Sequence, residues 1–253
     1  MCGSTQGIGR AAAMEIAQLG ANVTLIARNE PRLKTVQEVL DTSQGQAHDY
    51  IIADFNEPYL LREKVLRYCQ NHKLMEAHIL VNNTGGPAAG PIYNAEVEEF
   101  KQAYDQHLIS NHLLVQTLVP LMKNAAYGRI INVISTSVKE PLDNLGVSNT
   151  TRWAVAAWAK TLAGELGPYQ ITVNNVLPGY TRTARLEGLI EKQVTTTGRA
   201  VEDVEKTLIK NIPLGRFAQA EEIGAAIAFL SSPAASYING VNLVVDGGRT
   251  HSL

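Results

Sequence analysis

The clearest chemical pattern in the chain lies near its beginning, where residues 3–9 read Gly-Ser-Thr-Gln-Gly-Ile-Gly. An alanine-rich segment, residues 10–17, follows directly and is typical of a helix. Glycines let a backbone approach a pyrophosphate closely, and the free N–H groups at a helix N-terminus stabilise its negative charge. Glycine turns also occur for steric reasons alone, so this loop by itself is weak evidence for a nucleotide site.

Polar residues also follow several predicted strands, at the edge where doubly wound sheets bind ligands. Arg28 comes after one strand with no acidic residue beside it, a pattern that favours the 2′-phosphate of NADP over NAD; the alternative is a solvated surface arginine. Asp54 comes after the next strand and either accepts a hydrogen bond from an adenine amino group or caps a helix. Residues 82–87 and 178–183 follow later strands and bring more backbone to the same edge.

Strand-like and helix-like segments alternate along the chain and must position these residues. We expect strands at residues 23–27, 50–53, 79–81, 129–134, 171–177 and 241–245, and helices at residues 31–40, 60–71, 97–121, 153–167 and 220–230. Apolar strands that alternate with amphipathic helices predict an α/β fold with a doubly wound parallel sheet. Residues 1–253 contain no repeat or linker, so we expect one domain.

The position of the glycine loop is unusual, because such a loop normally follows the central strand of the sheet. Only Met1 and Cys2 precede it here. Either the sequence begins inside the first strand, which is then largely absent, or the fold lacks its central strand and leaves backbone groups without partners. We favour the first alternative.

The composition narrows the class of protein. Hydrophobic residues make up 45% of the chain, charged residues 18%, and the net charge is −2, so a basic surface for nucleic acid or an anionic membrane is not expected. The two cysteines, Cys2 and Cys69, form no disulfide or metal pattern. No apolar run is long enough to span a membrane, and no secretory signal is visible, so we expect a cytoplasmic protein with a small-molecule ligand.

The segment at residues 184–211 is the least regular part of the sequence and is rich in Thr, Glu and Lys. It lies between a predicted strand and the final helix, where a lid over the site is expected. Arg182 and Arg185 at its start either meet an acidic or phosphorylated substrate or serve solubility.

Five motifs in this order resemble the short-chain dehydrogenase/reductase family over residues 2 to 248. They are Gly3-x-x-x-Gly7-Ile8-Gly9, Asn82-Asn83-Thr84-Gly85, Ser135, Pro178-Gly179-x-x-x-Thr183 and the tail Ile238-Asn239-Gly240 with Val245-Asp246-Gly247-Gly248. The resemblance implies a Rossmann-type domain, NAD(P) binding, and a homotetramer or homodimer. The cofactor-binding residues expected from these motifs and from the strand ends are Gly3, Ser4, Gln6, Gly7, Ile8, Gly9, Arg28, Asp54, Asn82, Thr84, Gly85, Pro178, Gly179 and Thr183.

The sequence departs from the family at the catalytic residues. The family carries a Ser, a Tyr thirteen residues later and a Lys four residues after that, whereas this chain has Ser135, Ser148 and Arg152. His107 stands where family members carry an asparagine on the preceding helix. A serine is a much weaker acid than a phenol, and arginine does not shuttle protons at neutral pH. His107 titrates in the useful range and is either the proton donor or a packed helix residue.

Two functions are therefore compatible with the sequence. The first is an oxidoreductase, NADP-dependent rather than NAD-dependent, that reduces a ketone or oxidises a secondary alcohol with the altered residues Ser135, Ser148, Arg152 and His107. The second is an inactive NAD(P)-binding sensor or partner protein. Retention of Ser135 and of a cation at Arg152 favours the first, since a decayed site need keep neither.

Overall fold

Six short apolar segments form parallel strands that are covered by helices on both faces, in the computed structural model that describes residues 1–252. The strands are β1 (Thr24–Ala27), β2 (Asp49–Ile52), β3 (Ile79–Asn82), β4 (Gly128–Val133), β5 (Ile171–Pro178) and β6 (Asn242–Val245). They form a pair, β1-β2, and a four-stranded sheet in the order β3-β4-β5-β6. The predicted doubly wound α/β fold is confirmed.

The helices are α1 (Gly7–Gln18), α2 (Glu30–Glu38), α3 (Pro58–Asn71), α4 (Val97–Tyr104), α5 (Ser110–Asn124), α6 (Gly146–Leu166), α7 (Ala184–Thr197), α8 (Val201–Ile209) and α9 (Ala220–Ser231). Helices α1, α2 and α9 contribute to one buried apolar cluster on the sheet. Helices α3, α5 and α6 contribute to the other. Burial on both faces explains why the strands read as continuous apolar runs instead of alternating ones.

Residues 1–3 lie between the two groups of strands and join them. The Cys2 N–H donates to Val81 O at 3.0 Å on one side, and Gly3 N–H donates to Ile26 O at 2.9 Å on the other. Cys2 is fully buried, and burial raises the pKa of its thiol to about 11. The central position of the sheet is therefore occupied by this short segment, which leads directly into the glycine loop and α1.

Three expected elements differ from the structure. The predicted helix at residues 97–121 is divided into α4 and α5 by a π-helical turn at Asp105–Ile109. Helix α6 begins at Gly146, seven residues before its predicted start, so Ser148 lies in its first turn. Residues 184–211 are not irregular: they form α7 and α8 around a small apolar cluster that includes Leu186 and Ile190. The four-residue spacing of these two positions is the helical signal that the surrounding polar residues hide.

Four asparagines form a side-chain ladder across the four-stranded sheet. Asn82 donates to Asn132 at 2.9 Å, Asn132 donates to Asn175 at 2.9 Å, and Asn175 donates to Asn242 at 2.8 Å. These residues are partners in the parallel register of β3 to β6. The ladder gives hydrogen-bond partners to most of these buried amide groups, which would otherwise cost free energy in this core, although Asn82 Oδ1 has no partner.

Among residues 1–252 there is no helix with both the length and the apolar character needed to cross a membrane. The same part of the chain contains no group of three or more His, Cys, Asp or Glu residues that could hold a metal ion.

Candidate active site

A cleft of about 730 Å³ opens at the carboxyl ends of the strands. Its walls come from the glycine loop, from the segments that follow β1 to β5, and from the first residues of α6 and α7. All the expected cofactor-binding residues line this cleft except Ser4, Gly9 and Asn82. Ser135, Ser148 and Arg152 line it as well. One cavity thus joins the glycine loop to three of the four predicted catalytic residues.

The N-terminus of α1 forms one wall of the cleft. Gly3 and Gly7 adopt positive φ angles of 58° and 52°, which L side chains adopt only with strain. Gln6, the residue before α1, makes no side-chain capping hydrogen bond, so its side chain leaves the N–H groups of the first turn free. Free N–H groups at a helix N-terminus that faces a cavity fit a phosphate ligand.

The three expected residues that do not line the cleft are all buried. A Cβ at Gly9 would lie 2.0 Å from the carbonyl oxygen of Gly3, so this glycine allows α1 to pack on its own loop. Ser4 is fully buried. Asn82 belongs to the asparagine ladder, whereas the neighbouring Asn83 lines the cleft and donates to Gly3 O at 3.2 Å. The motif indicated this pair of asparagines, but the pleat decides which of them faces the cleft.

Two arginines and one carboxylate line the end of the cleft beside β1. Arg28 Nη1 lies 3.5 Å from Asp54 Oδ2, and the Arg28 side chain is 71% exposed. An exposed pair of this kind is weak, so the guanidinium remains available to a ligand. Arg32, which the sequence analysis did not select, donates to Gln6 Oε1 at 3.0 Å and also lines the cleft. The sequence feature that could have indicated Arg32 is its position in the first turn of α2, one helical turn after Arg28.

Ser135 and Ser148 come from different elements, the end of β4 and the start of α6. Ser135 Oγ accepts a hydrogen bond from Ser137 N–H at 3.0 Å, which leaves the Ser135 hydroxyl hydrogen free to donate. Arg152 lies one helical turn after Ser148 and donates from Nη1 to Val133 O at 3.1 Å. Burial, with a smaller contribution from nearby Arg185, lowers the pKa of Arg152 to about 10, so it stays charged at neutral pH.

His107 lies in the π-helical turn and does not line the cleft; it is 1% exposed. Its Nδ1 is 2.6 Å from the hydroxyl of Thr84, which does line the cleft. Burial, followed by the charges of Arg152 and Arg185, lowers the pKa of His107 well below 6.5. The expectation that His107 titrates near neutral pH is therefore wrong, because its charged form would be desolvated and repelled by two cations.

The segments after β5 and β6 add residues that the sequence did not single out as a group. Tyr180, Arg185 and Arg249 line the cleft, and the Arg249 guanidinium lies 4.7 Å from the centre of the Tyr180 ring. Arg182 instead forms an ion pair with Glu205, with Nη1 and Oε1 2.9 Å apart, and does not line the cleft. The sequence alone could not separate the roles of the two neighbouring arginines.

Comparisons with known proteins agree with this geometry. A family model described as Enoyl-(Acyl carrier protein) reductase matches residues 3–250. The chain is 28% identical to the NADPH-dependent reductase BacG of Bacillus subtilis (strain 168), over 99% of this chain and 96% of that protein. It is 31% identical to trans-4-hydroxycyclohexanecarboxylate dehydrogenase of Sinomonas cyclohexanicum, over 98% of this chain and 90% of that protein.

A solved structure is also similar to this chain over its full length. The L-sorbose reductase of Gluconobacter frateurii, in complex with NADPH and L-sorbose, superposes with a TM-score of 0.92 at 29% identity, covering 100% of this chain and 96% of that one. The likeness extends over both ends of the cleft, since it includes the glycine loop and the segment after β5.

Proposed function

The chain belongs to the short-chain dehydrogenase/reductase family, and on this premise we propose that it is an NADPH-dependent oxidoreductase that interconverts a ketone and a secondary alcohol. The observation that carries the proposal is the single cleft that Gly7, Ser135, Ser148 and Arg152 all line. The relatives named above act, by their names, on a sugar ketone and on a hydroxylated ring carboxylate, which supports a carbonyl or secondary alcohol as the reacting group.

The residues present fit NADPH. The free N–H groups of α1 would hold the pyrophosphate, Arg28 and Arg32 the 2′-phosphate, and Arg152 the hydroxyls of the nicotinamide ribose. When bound, this cofactor supplies the hydride for reduction or accepts it for oxidation. Support for NADPH over NADH comes from the two arginines beside β1 and from the NADPH dependence of BacG.

We assign the carbonyl oxygen of the substrate to Ser135 and Ser148, which stand in place of the family's Ser and Tyr. Both hydroxyls would donate hydrogen bonds to this oxygen, and the nearby guanidinium of Arg152, in place of the family's Lys, would stabilise the negative charge that develops there. In reduction, hydride adds to the carbonyl carbon and a proton must add to the oxygen. Since an aliphatic hydroxyl is a poor acid, we propose that water is the source of this proton.

His107 acts, in this mechanism, as a positioning residue. It does not line the cleft, but it shares a hydrogen bond of 2.6 Å with Thr84, which does. A neutral imidazole is one donor and one acceptor, so it can fix the orientation of the threonine hydroxyl without transferring a proton to substrate.

We also propose that α7 and α8 form a lid over the cleft. The two helices pack against each other in a small apolar cluster that also includes Ile212 and Phe217, so they form one unit. Their contacts with the opposite wall include the hydrogen bonds from Arg185 to Pro87 O at 2.6 Å and from Lys192 to Ala89 O at 2.8 Å.

We further propose that the protein is a homo-oligomer. The proposal is supported by the exposed apolar side chains of Phe229 and Tyr237, and light scattering in solution tests it.

Turnover and cofactor binding, measured separately, test the proposal. We expect calorimetry to detect NADPH binding and a panel of ketones to include one that consumes NADPH. Ser148→Ala should lower kcat by about 10²–10³, the usual loss for an oxyanion-stabilising donor, without weakening NADPH binding. Thr150→Ala is the matched control, because Thr150 lies on the same helix, is exposed and does not line the cleft.

Other outcomes discriminate the alternatives. Tight NADPH binding without turnover of any ketone or alcohol would support the second function, a nucleotide-binding protein. A large loss of kcat in His107→Ala together with a small loss in Ser148→Ala would identify the histidine as the proton donor and contradict the mechanism above.

A further inference from the structure

The catalytic part of the cleft contains guanidinium groups without a carboxylate to balance them. Arg152, Arg185 and Arg249 all line the cleft, and within residues 1–252 none of the three forms an ion pair with Asp or Glu. Asp54 is the single acidic residue of the described lining, and it is paired with Arg28 beside β1. The positive charge at the catalytic residues is therefore uncompensated by the protein.

Arg185 is held at the cleft wall, but its guanidinium group donates few hydrogen bonds to the protein. Its Nη2 donates to Pro87 O at 2.6 Å, and among residues 1–252 this is the single hydrogen bond of its side chain. It lies close enough to Arg152 and His107 for its charge to lower the pKa of both groups. Arg152 is nine-tenths buried, and its Nε has no hydrogen-bond partner. Two like charges in a partly desolvated cleft are unfavourable unless an anion binds between or beside them.

Apolar side chains accompany these charges. Leu142 and Leu145 line the cleft just before Ser148, and Leu189 lines it one helical turn after Arg185. Residues four apart on a helix share a face, so Arg185 and Leu189 present a cation and an apolar surface together. A ligand complementary to this wall has an aliphatic body and one negative charge.

We propose that Arg185 is a specificity-determining residue that binds a carboxylate of the substrate, so that the preferred substrates are keto acids or hydroxy acids with an aliphatic body. This inference rests on the proposed oxidoreductase function and narrows its substrate class. A neutral ketone leaves the arginines without an anion, whereas a carboxylate accepts charge-assisted hydrogen bonds from the free guanidinium nitrogens.

Arg182 provides a matched comparison three residues away. Its guanidinium is neutralised by Glu205, with Nη1 and Oε1 2.9 Å apart, and it does not line the cleft. A variant at Arg182 removes the same charge from the same segment without touching the cleft. A substitution by lysine at Arg185 keeps the charge but loses the planar pair of donors.

The experiment compares six-carbon straight-chain acids that carry a ketone at the α, γ or δ carbon with their methyl esters, which differ mainly in charge. We expect the wild-type kcat/KM to be higher for at least one acid than for its ester. Arg185→Met should raise KM for that acid roughly tenfold to a hundredfold, the range that a charge-assisted hydrogen bond spans, and leave the ester unchanged. Arg185→Lys should restore part of the preference, and Arg182→Met should leave the acid-to-ester ratio at its wild-type value.

NADPH affinity, measured by calorimetry on each variant, separates a substrate role from a cofactor role. An unchanged acid-to-ester ratio in Arg185→Met would overturn the proposal, and a parallel loss of NADPH affinity would assign Arg185 to a cofactor phosphate. If no ketone or alcohol of any kind is turned over, the proposed function fails, independently of the carboxylate site. Binding of the same acids to the NADPH-loaded protein then tests the carboxylate site by itself, and equal binding to wild type and Arg185→Met would overturn it.

Discussion

The hydroxyl oxygen of Thr84 lies 2.6 Å from Nδ1 of His107, so a residue of the cleft wall is hydrogen-bonded to a histidine that is 1% exposed. Thr84 follows β3, and His107 belongs to the π-helical turn between α4 and α5. The extra residue of a π-helical turn rotates the side chains around it, and such turns are frequent at functional sites. This contact links a distortion in the long helix to the cofactor cleft.

The buried imidazole should make stability depend on pH. His107 has a pKa well below 6.5 in the folded protein, so below about pH 6.5 the unfolded chain takes up a proton that the folded chain does not. The free energy of unfolding should therefore fall as the pH drops below 6.5, by up to about 1.4 kcal/mol per pH unit, until the pH reaches the lowered pKa of the folded protein. His107→Asn, which keeps a hydrogen-bonding group, should lack this contribution in urea unfolding at several pH values. Equal slopes in the two proteins would contradict the assignment.

Gly9 should be essential for the shape of the loop rather than for direct contact with a ligand. In Gly9→Val the new Cβ would meet Gly3 O at 2.0 Å, which forces the loop and α1 apart. We expect loss of NADPH binding together with a lower free energy of unfolding, measured by calorimetry and urea unfolding. Gly164→Ala is the control: Gly164 lies in α6 with nothing near its would-be Cβ, and the change should stabilise by about 0.5–1 kcal/mol. Normal binding in Gly9→Val would remove the loop from the site.

Arg28 should determine the preference for NADPH over NADH. Its ion pair with Asp54 is long and exposed, so a 2′-phosphate can replace it. Arg28→Ala should weaken NADPH binding by about 1–3 kcal/mol and leave NADH binding nearly unchanged, because charge-assisted hydrogen bonds contribute on this order. Arg10→Ala, an exposed change on α1 outside the cleft lining, is the control for general charge effects. Equal wild-type affinity for the two cofactors would refute this role.

The asparagine ladder should contribute to stability through its middle members. Asn132 is fully buried and is bonded to both Asn82 and Asn175. Asn132→Ala would leave a buried donor and a buried acceptor without partners, at a cost of about 1–3 kcal/mol for each. Urea unfolding measures the total. Asn242→Ala, at the exposed end of the ladder, should cost clearly less, and a similar loss for both variants would argue against the ladder.

The local pattern of apolar residues was sufficient to predict the fold. Apolar runs bounded by polar residues and helices of the right period predict a parallel sheet covered on both faces, because burial on each face leaves a direct mark on residue type. The glycine loop, Arg28 and Thr84 could be selected for the same reason: ligands bind where parallel strands end, and strand ends can be read from the chain.

The roles of individual side chains depended on tertiary structure. Asn82 and Asn83 are adjacent in the sequence, yet one joins the ladder and the other lines the cleft. Arg182 and Arg185 are the same residue type and lie three positions apart, but among residues 1–252 only Arg182 has a carboxylate partner. Nothing in the sequence around His107 indicates a lowered pKa, because the pKa falls only when folding buries the imidazole beside Arg152 and Arg185. Side-chain direction, charge pairing and desolvation are set by neighbours distant in sequence, whereas the elements themselves follow from neighbours along the chain.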